Sequence, residues 1–292
     1  MGAKYNPREQ EFNMSEIIDK NFMISPPARL DISNIRGSVE IHPGQADVIS
    51  IHITKDTSSG DPSRTAIELT QATDGTVKAA THFPEGAWSW LFGSFPCRVD
   101  YVVEAPRKCS IKINGVSSDA VAGGFEGEFS FHTVSGEMTL HNLTGPVKIN
   151  TVSGKVELAE LNGNLQLTTV SGKVSGRRIQ GPVQLNTVSG QVAMDESSLS
   201  SVDATTVSGR MEYQTAFGAG QYNFHSVSGD IELLVPSETC CSAELHAISG
   251  KLYTQLPATS ISRQNGSQTA EIQGGGVKVR LQSVSGNLSL VA

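Results

Sequence analysis

The chain has 292 residues, a formal net charge of −7, only 17% charged residues and 29 glycines. That length can bury a sizeable core, in one elongated domain or two ordinary ones. The acidic balance excludes a nucleic-acid binder, which needs a basic stripe, and no run approaches the 18 apolar residues of a membrane-spanning helix.

Residues 1–21 read as a polar tail, with MSEIIDK as a short helix. They hold no apolar export segment, and Asn6 stands where a myristoylation signal wants Ser or Thr, so the sequence as it stands predicts a cytoplasmic protein. From Phe22 to residue 130 the two-residue period of half-buried strands dominates, as in ARLDISNIRGSVEIHPGQADVISIHITK, broken at Arg36-Gly37 and Pro43-Gly44. Residues 83–95 crowd Phe83, Trp88, Trp90, Leu91, Phe92 and Phe95 into a Gly/Pro-punctuated stretch. Two readings stay open for it. The aromatics cap the end of a stacked core, or Trp88, Trp90, Phe92 and Phe95 form an exposed patch that meets a partner or a lipid surface. Cys97, Cys109, Cys240 and Cys241 form no CxxC pair. They read as free thiols rather than a zinc site, with a Cys97–Cys109 disulfide as the alternative.

Residues 131–292 repeat themselves. HTVSGEMTL, NTVSGKVEL, TTVSGKVSG, NTVSGQVAM and TTVSGRMEY are followed by HSVSGDIEL, HAISGKLYT and QSVSGNLSL. The Val or Ile of each [VI]SG falls at 134, 152, 170, 188, 207, 227, 248 and 284, and half-repeats such as LTGPVKI and LNGNLQL lie between, so the period is nine. Within a unit the first, fifth and seventh positions are apolar, as in Val152, Val156 and Leu158, and all three are assigned to the core. Five residues of strand and a four-residue corner at constant length predict an all-β parallel solenoid of about 18 residues per turn. A lone turn cannot bury enough to fold, so the array folds as an array. Eight marked corners predict a rod of roughly 35–40 Å. Residues 257–276 interrupt the rhythm as a polar loop, and VKVRLQSVSGNLSLVA adds one last turn.

The tandem [ST]-V-S-G-x-[VIL]-x-L units resemble the bacterial "putative adhesin" family, a widespread domain of unknown function, over roughly residues 22–292. The resemblance implies a right-handed β-helix and a role in binding at the cell surface, against the cytoplasmic location that the sequence predicts.

Parallel β-helices also include carbohydrate-active enzymes, whose sites gather acids across successive turns. The position after [VI]SG reads Glu137, Lys155, Lys173, Gln191, Arg210, Asp230, Lys251 and Asn287, a mixed solvated column. Asp195 and Glu196 read as a solvated loop. His132, His225 and His246 share one position, which other turns fill with Asn150, Thr168, Asn186, Thr205 and Gln282. His225 and His246 would lie on adjacent turns, within reach of one metal ion, but the column reads better as a hydrogen-bonding ladder. No Walker loop, GxSxG or nucleotide fingerprint is present. The sequence therefore predicts no catalytic, metal or cofactor residues. It favours a non-enzymatic binding protein that meets an unknown protein or a surface glycan through a strand face of 131–213. The alternatives are a self-associating scaffold and a β-helix enzyme.

Overall fold

The computed structural model describes residues 15–84, 95–264 and 266–292, and every regular element among them is a β-strand. In the regular array each strand lies parallel on its copy 18 residues on: Val147 pairs with Leu165 and Lys155 with Lys173, and Leu165 pairs in turn with Val183. The solenoid period is thus the predicted one. Ile35–Ile41, a degenerate copy of the repeat, lies in the first full turn, whose strand Ala28–Pro43 pairs in register with Cys109–Glu126.

The inward face differs from the expected one at one position per turn. Val156, Leu158 and Leu161 are buried, as is Ile149, yet Val152 is 47% exposed and Thr151 takes its place inside. The same exchange recurs at every [VI]SG corner. Thr133, Thr169, Thr187 and Thr206 are buried beside exposed Val134, Val170, Val188 and Val207. The cause lies in the intervening half-repeat. Asn142, Glu160, Arg178 and Glu196 adopt φ of 49–57°. One left-handed residue breaks the strict alternation and turns the next side chain inward, so Leu143, Leu161 and Ile179 reach the core. At the [VI]SG corner no such residue intervenes, alternation continues, and Thr points in while Val points out. Four of these hydroxyls are tied down locally, Thr133 and Thr206 like Thr151, which donates to the Ser153 carbonyl at 3.2 Å, and Thr169, which donates to that of Ser171 at 3.3 Å, whereas the buried Thr187 hydroxyl has no partner among the described residues. The glycine that follows is required by the stack. A Cβ on Gly172, at φ +143°, would stand 2.1 Å from the Gly154 carbonyl oxygen of the turn below.

The ends also depart from the sequence reading. Ser15–Met23 is neither tail nor helix. It pairs antiparallel with Val48–Asp56, which pairs antiparallel with Arg98–Ala105. Its one fully buried side chain is Phe22, and Glu16 meets the nearly buried Lys55 ammonium at 3.0 Å. On the neighbouring run the antiparallel pair Ala66–Gln71 and Val77–His82 covers the same end.

At the far end the last turn does not stack last. Val277–Ser285 lies parallel between Tyr222–Ser228 and Cys241–Ser249, bonded to both. The chain leaves Ile231–Leu234, skips one turn height past Pro236, and its C-terminus fills the slot, burying Val279, Leu281, Leu288 and Leu290. The double step falls in the 21-residue interval between the motifs at 227 and 248, and the 36-residue interval that follows holds a hairpin and a return of one rung. Residues 257–276 are likewise no loop. Ala258–Gln264 and Ser267–Ile272 form a hairpin whose second strand pairs antiparallel with the otherwise open edge of Cys241–Ser249. The stack continues beyond the eight marked corners, through Ala28–Pro43 and Cys109–Glu126 at one end and the hairpin at the other. Cys97, Cys109 and Cys241 are buried free thiols and Cys240 is an exposed one.

Candidate functional site

Two surfaces run the length of the solenoid, and both follow from the repeat. The first is the outward column of the runs that precede each [VI]SG corner. Strand pairing stacks Asn114, His132, Asn150, Thr168 and Asn186 in that order, and Thr205, His225, Gln282 and His246 continue it. No carboxylate or ammonium group occupies any of these positions. Amide, hydroxyl and imidazole groups therefore follow one another at the strand spacing of about 4.8 Å, each offering a donor and an acceptor. Neighbours on the ladder touch: Asn150 Nδ2 lies 3.1 Å from His132 Nδ1, and Ser130 Oγ lies 2.9 Å from His132 Nε2. The amide donates to Nδ1, so the ring carries its proton on Nε2 and donates to Ser130. Partial burial, then Lys148 and Lys112, holds the His132 pKa below the ordinary histidine value. The ladder is uncharged there at neutral pH.

Two shallow grooves open on the same face. One, of about 750 Å³ near the N-terminal end, has Arg29, Lys112, Lys148, Glu128 and Gln166 on its walls. The other, of about 510 Å³, lies where the hairpin strand carrying Ile261 stands over Asn223, Glu244, Lys278 and Arg280.

The second surface is the outward [VI]SG residue itself. Val116, Val134, Val152, Val170, Val188, Val207, Val227 and Val284 are 45–50% exposed and Ile248 is 73% exposed, forming an unbroken aliphatic ridge. Assigning these residues to the core hid this surface from sequence reasoning. The signal available was chemical: at the eight [VI]SG motifs the ridge residue is always Val or Ile and always follows a Thr, Ser or Ala that fits inside, and Val116, after Gly115, extends the row.

The remaining candidates resolve as follows. The charged column beside the ridge is ion-paired rather than clustered by sign: Lys155 meets Glu157 at 2.5 Å, and Arg210 bonds Glu212 and, at 2.8 Å, Glu232. Glu196 does not sit in a loop. It occupies the left-handed position of its turn and accepts from Arg177 at 2.8 Å, which together with Arg178 lowers its pKa. His225 and His246 are not on adjacent turns, because Gln282 of the intercalated last turn separates them. That puts them roughly 10 Å apart by strand spacing, too far to share an ion bound at about 2.1 Å. Among the described residues no three His, Cys, Asp or Glu side chains come together as a metal site would need, and no helix is long and apolar enough to cross a membrane. Trp88, Trp90 and Phe92 lie outside the described residues. Phe95 is 55% exposed, and its carbonyl accepts from the Asp61 amide at 2.9 Å.

Residues 28–291 match the model of the family described as Toastrack DUF4097. Among solved structures, a putative lipid binding protein from Parabacteroides distasonis ATCC 8503 aligns over 94% of this chain and 96% of its own, at 14% identity and a TM-score of 0.46. A putative adhesin from Bacteroides fragilis NCTC 9343 aligns over 94% and 96%, at 10% identity and a TM-score of 0.45. A second putative adhesin, from Parabacteroides distasonis ATCC 8503, aligns over 94% and 97%, at 11% identity and a TM-score of 0.41. No curated protein shows significant sequence similarity to the chain.

Proposed function

The chain belongs to the Toastrack DUF4097 family, and from that premise we propose that it is a non-enzymatic binding module whose ligand lies along the amide ladder. The ladder itself carries the reading. Nine stacked positions without a carboxylate or ammonium group suit a long, neutral, hydroxyl-rich ligand, which needs donors and acceptors at short repeat and no counter-charge. A surface glycan is such a ligand. A polyanion or polycation would find no counter-charge at the ladder positions, since the charged side chains of this face stand beside the ladder in the grooves. The grooves at either end of the ladder supply the concave footing a chain-like ligand needs at its ends.

The test is a glycan array probed with the native protein and with an Asn150→Ala/Thr168→Ala/Asn186→Ala variant. All three side chains point outward, so the variant keeps its unfolding midpoint. Binding to neutral glycans that falls at least tenfold in the variant supports the reading. Binding that survives the triple substitution, or an array on which only sulfated or uronic-acid polymers score, overturns it. A ligand of this kind is met at the cell surface, so protease added to intact native cells removes the protein.

A further inference from the structure

We propose that the aliphatic ridge is the interface between two copies of this chain, packed side by side and antiparallel about a two-fold axis. The argument is independent of the ligand on the amide ladder.

A ridge of nine Val and Ile side chains at strand spacing, 45–73% exposed, is at the upper end of the continuous apolar area a monomer leaves in water, where such patches are often interaction sites. At roughly 70 Å² per residue it presents on the order of 600 Å². The serine and charged columns on one side of it bring this to about the 800 Å² per partner that a standard interface covers. The ridge's own period is the best complement to it, since any second copy carries the same side chains at the same repeat. The serines beside it cost little to cover. Ser135, Ser153 and Ser171 already donate to the carbonyls of Val116, Val134 and Val152 in the turn below, at 3.3–3.5 Å.

The charged column beside the ridge selects the orientation. In stack order it reads Asp119, Glu137, Lys155, Lys173, Gln191, Arg210, Asp230, Asn287 and Lys251. A two-fold axis perpendicular to the rods sets this column against its own reverse. With the axis between Val188 and Val207, Glu137 faces the partner's Lys251, Lys173 faces the partner's Asp230, and no like charges meet. A shift of one rung towards the N-terminal end keeps two opposite pairs, Asp119 with the partner's Lys251 and Lys155 with the partner's Asp230, but sets Lys173 against the partner's Arg210. A further shift sets Glu137 against Asp230 and Lys155 against Arg210. A parallel pair would place the charged column against the neutral amide ladder and gain no pairs. An anionic bilayer is a poorer occupant, because the chain carries a net charge of −7. The antiparallel pair also keeps both amide ladders on one side, so a long ligand meets two of them at once.

Analytical ultracentrifugation of the full chain tests this. At micromolar concentration the expected mass is twice 31.0 kDa. Val188→Asp/Val207→Asp weakens the dimer at least about 100-fold, as expected for charges in the centre of an interface, while far-UV circular dichroism and the unfolding midpoint stay as in the native chain. Glu137→Lys weakens it at least about fivefold, and adding Lys251→Glu restores it. A native chain that is monomeric at 100 µM, by order of magnitude above any working dissociation constant, overturns the proposal. So does a dimer that survives the double aspartate variant. Glu137→Lys without effect, or without rescue by Lys251→Glu, overturns the stated register. Native monomer that instead sediments with phosphatidylserine vesicles assigns the ridge to a membrane and likewise overturns it.

Discussion

Val152 and Val156 belong to the same turn, and simple periodicity places both in the core. The structure separates them: Val156 is 1% exposed and Val152 47%. Replacing each in turn by Thr is isosteric and keeps the β-branched shape that strands favour, so the two variants differ only in where the new hydroxyl lands. In Val156→Thr it lands in an apolar interior whose backbone groups are already paired in the ladders to Met138 and Val174. A buried hydroxyl without a partner costs about 1–3 kcal/mol, and the lost methyl adds about 0.8 kcal/mol. In Val152→Thr the hydroxyl lands in water and the expected change is within about 0.5 kcal/mol. Urea unfolding followed by circular dichroism, with stabilities from linear extrapolation at constant slope, should therefore rank the variants with a gap of at least about 1 kcal/mol. Equal losses, or a larger loss at Val152, would refute the outward placement of the motif valine and with it the ridge.

Three further outcomes are expected. Gly172→Ala pays for both a positive φ and a Cβ 2.1 Å from the Gly154 carbonyl, whereas Gly75→Ala, at φ +82° with nothing within 4 Å, carries the backbone strain alone. The first should be the more destabilising by about 1–3 kcal/mol in the same unfolding assay. His132 should titrate by NMR below the ordinary histidine value of about 6.5, because burial and then Lys148 and Lys112 oppose its protonation. The unfolded chain then takes up that proton first, so stability falls as pH drops through about 6.5. His132→Asn should flatten this part of the pH profile, and a midpoint at or above 6.5 would count against the environment described. Burial pushes the Cys109 thiol up to about 12, and chiefly burial pushes that of Cys241 up to about 11, while Cys240 is exposed. A native thiol titration with a disulfide reagent should count one fast-reacting group, and titration in denaturant should count four.

The sequence by itself determined the period, the parallel stacking and the glycine corners. Each is a local property repeated at constant length: alternation in KVEL, a Gly at each tight corner that needs positive φ, and an 18-residue return that only a coil satisfies. The polar ladder at His132, Asn150, Thr168 and Asn186 was legible for the same reason. Which member of a Thr-Val pair faces inward was not, because it depends on a left-handed residue elsewhere in the turn. That residue is an ordinary Asn, Glu or Arg, at 142, 160, 178 and 196, with nothing in its identity to mark it. The order of the last turns was decided only in three dimensions as well. The strand Val277–Ser285 matches Tyr222–Ser228 and Cys241–Ser249 equally well in pattern, and it goes where two free strand edges stand one slot apart. The strands Ser15–Met23, Ala258–Gln264 and Ser267–Ile272 carry an apolar pattern too weak to make a strand alone, which is why sequence predicts tail and loop there. They become strands because the solenoid's ends offer them unpaired backbone groups to satisfy.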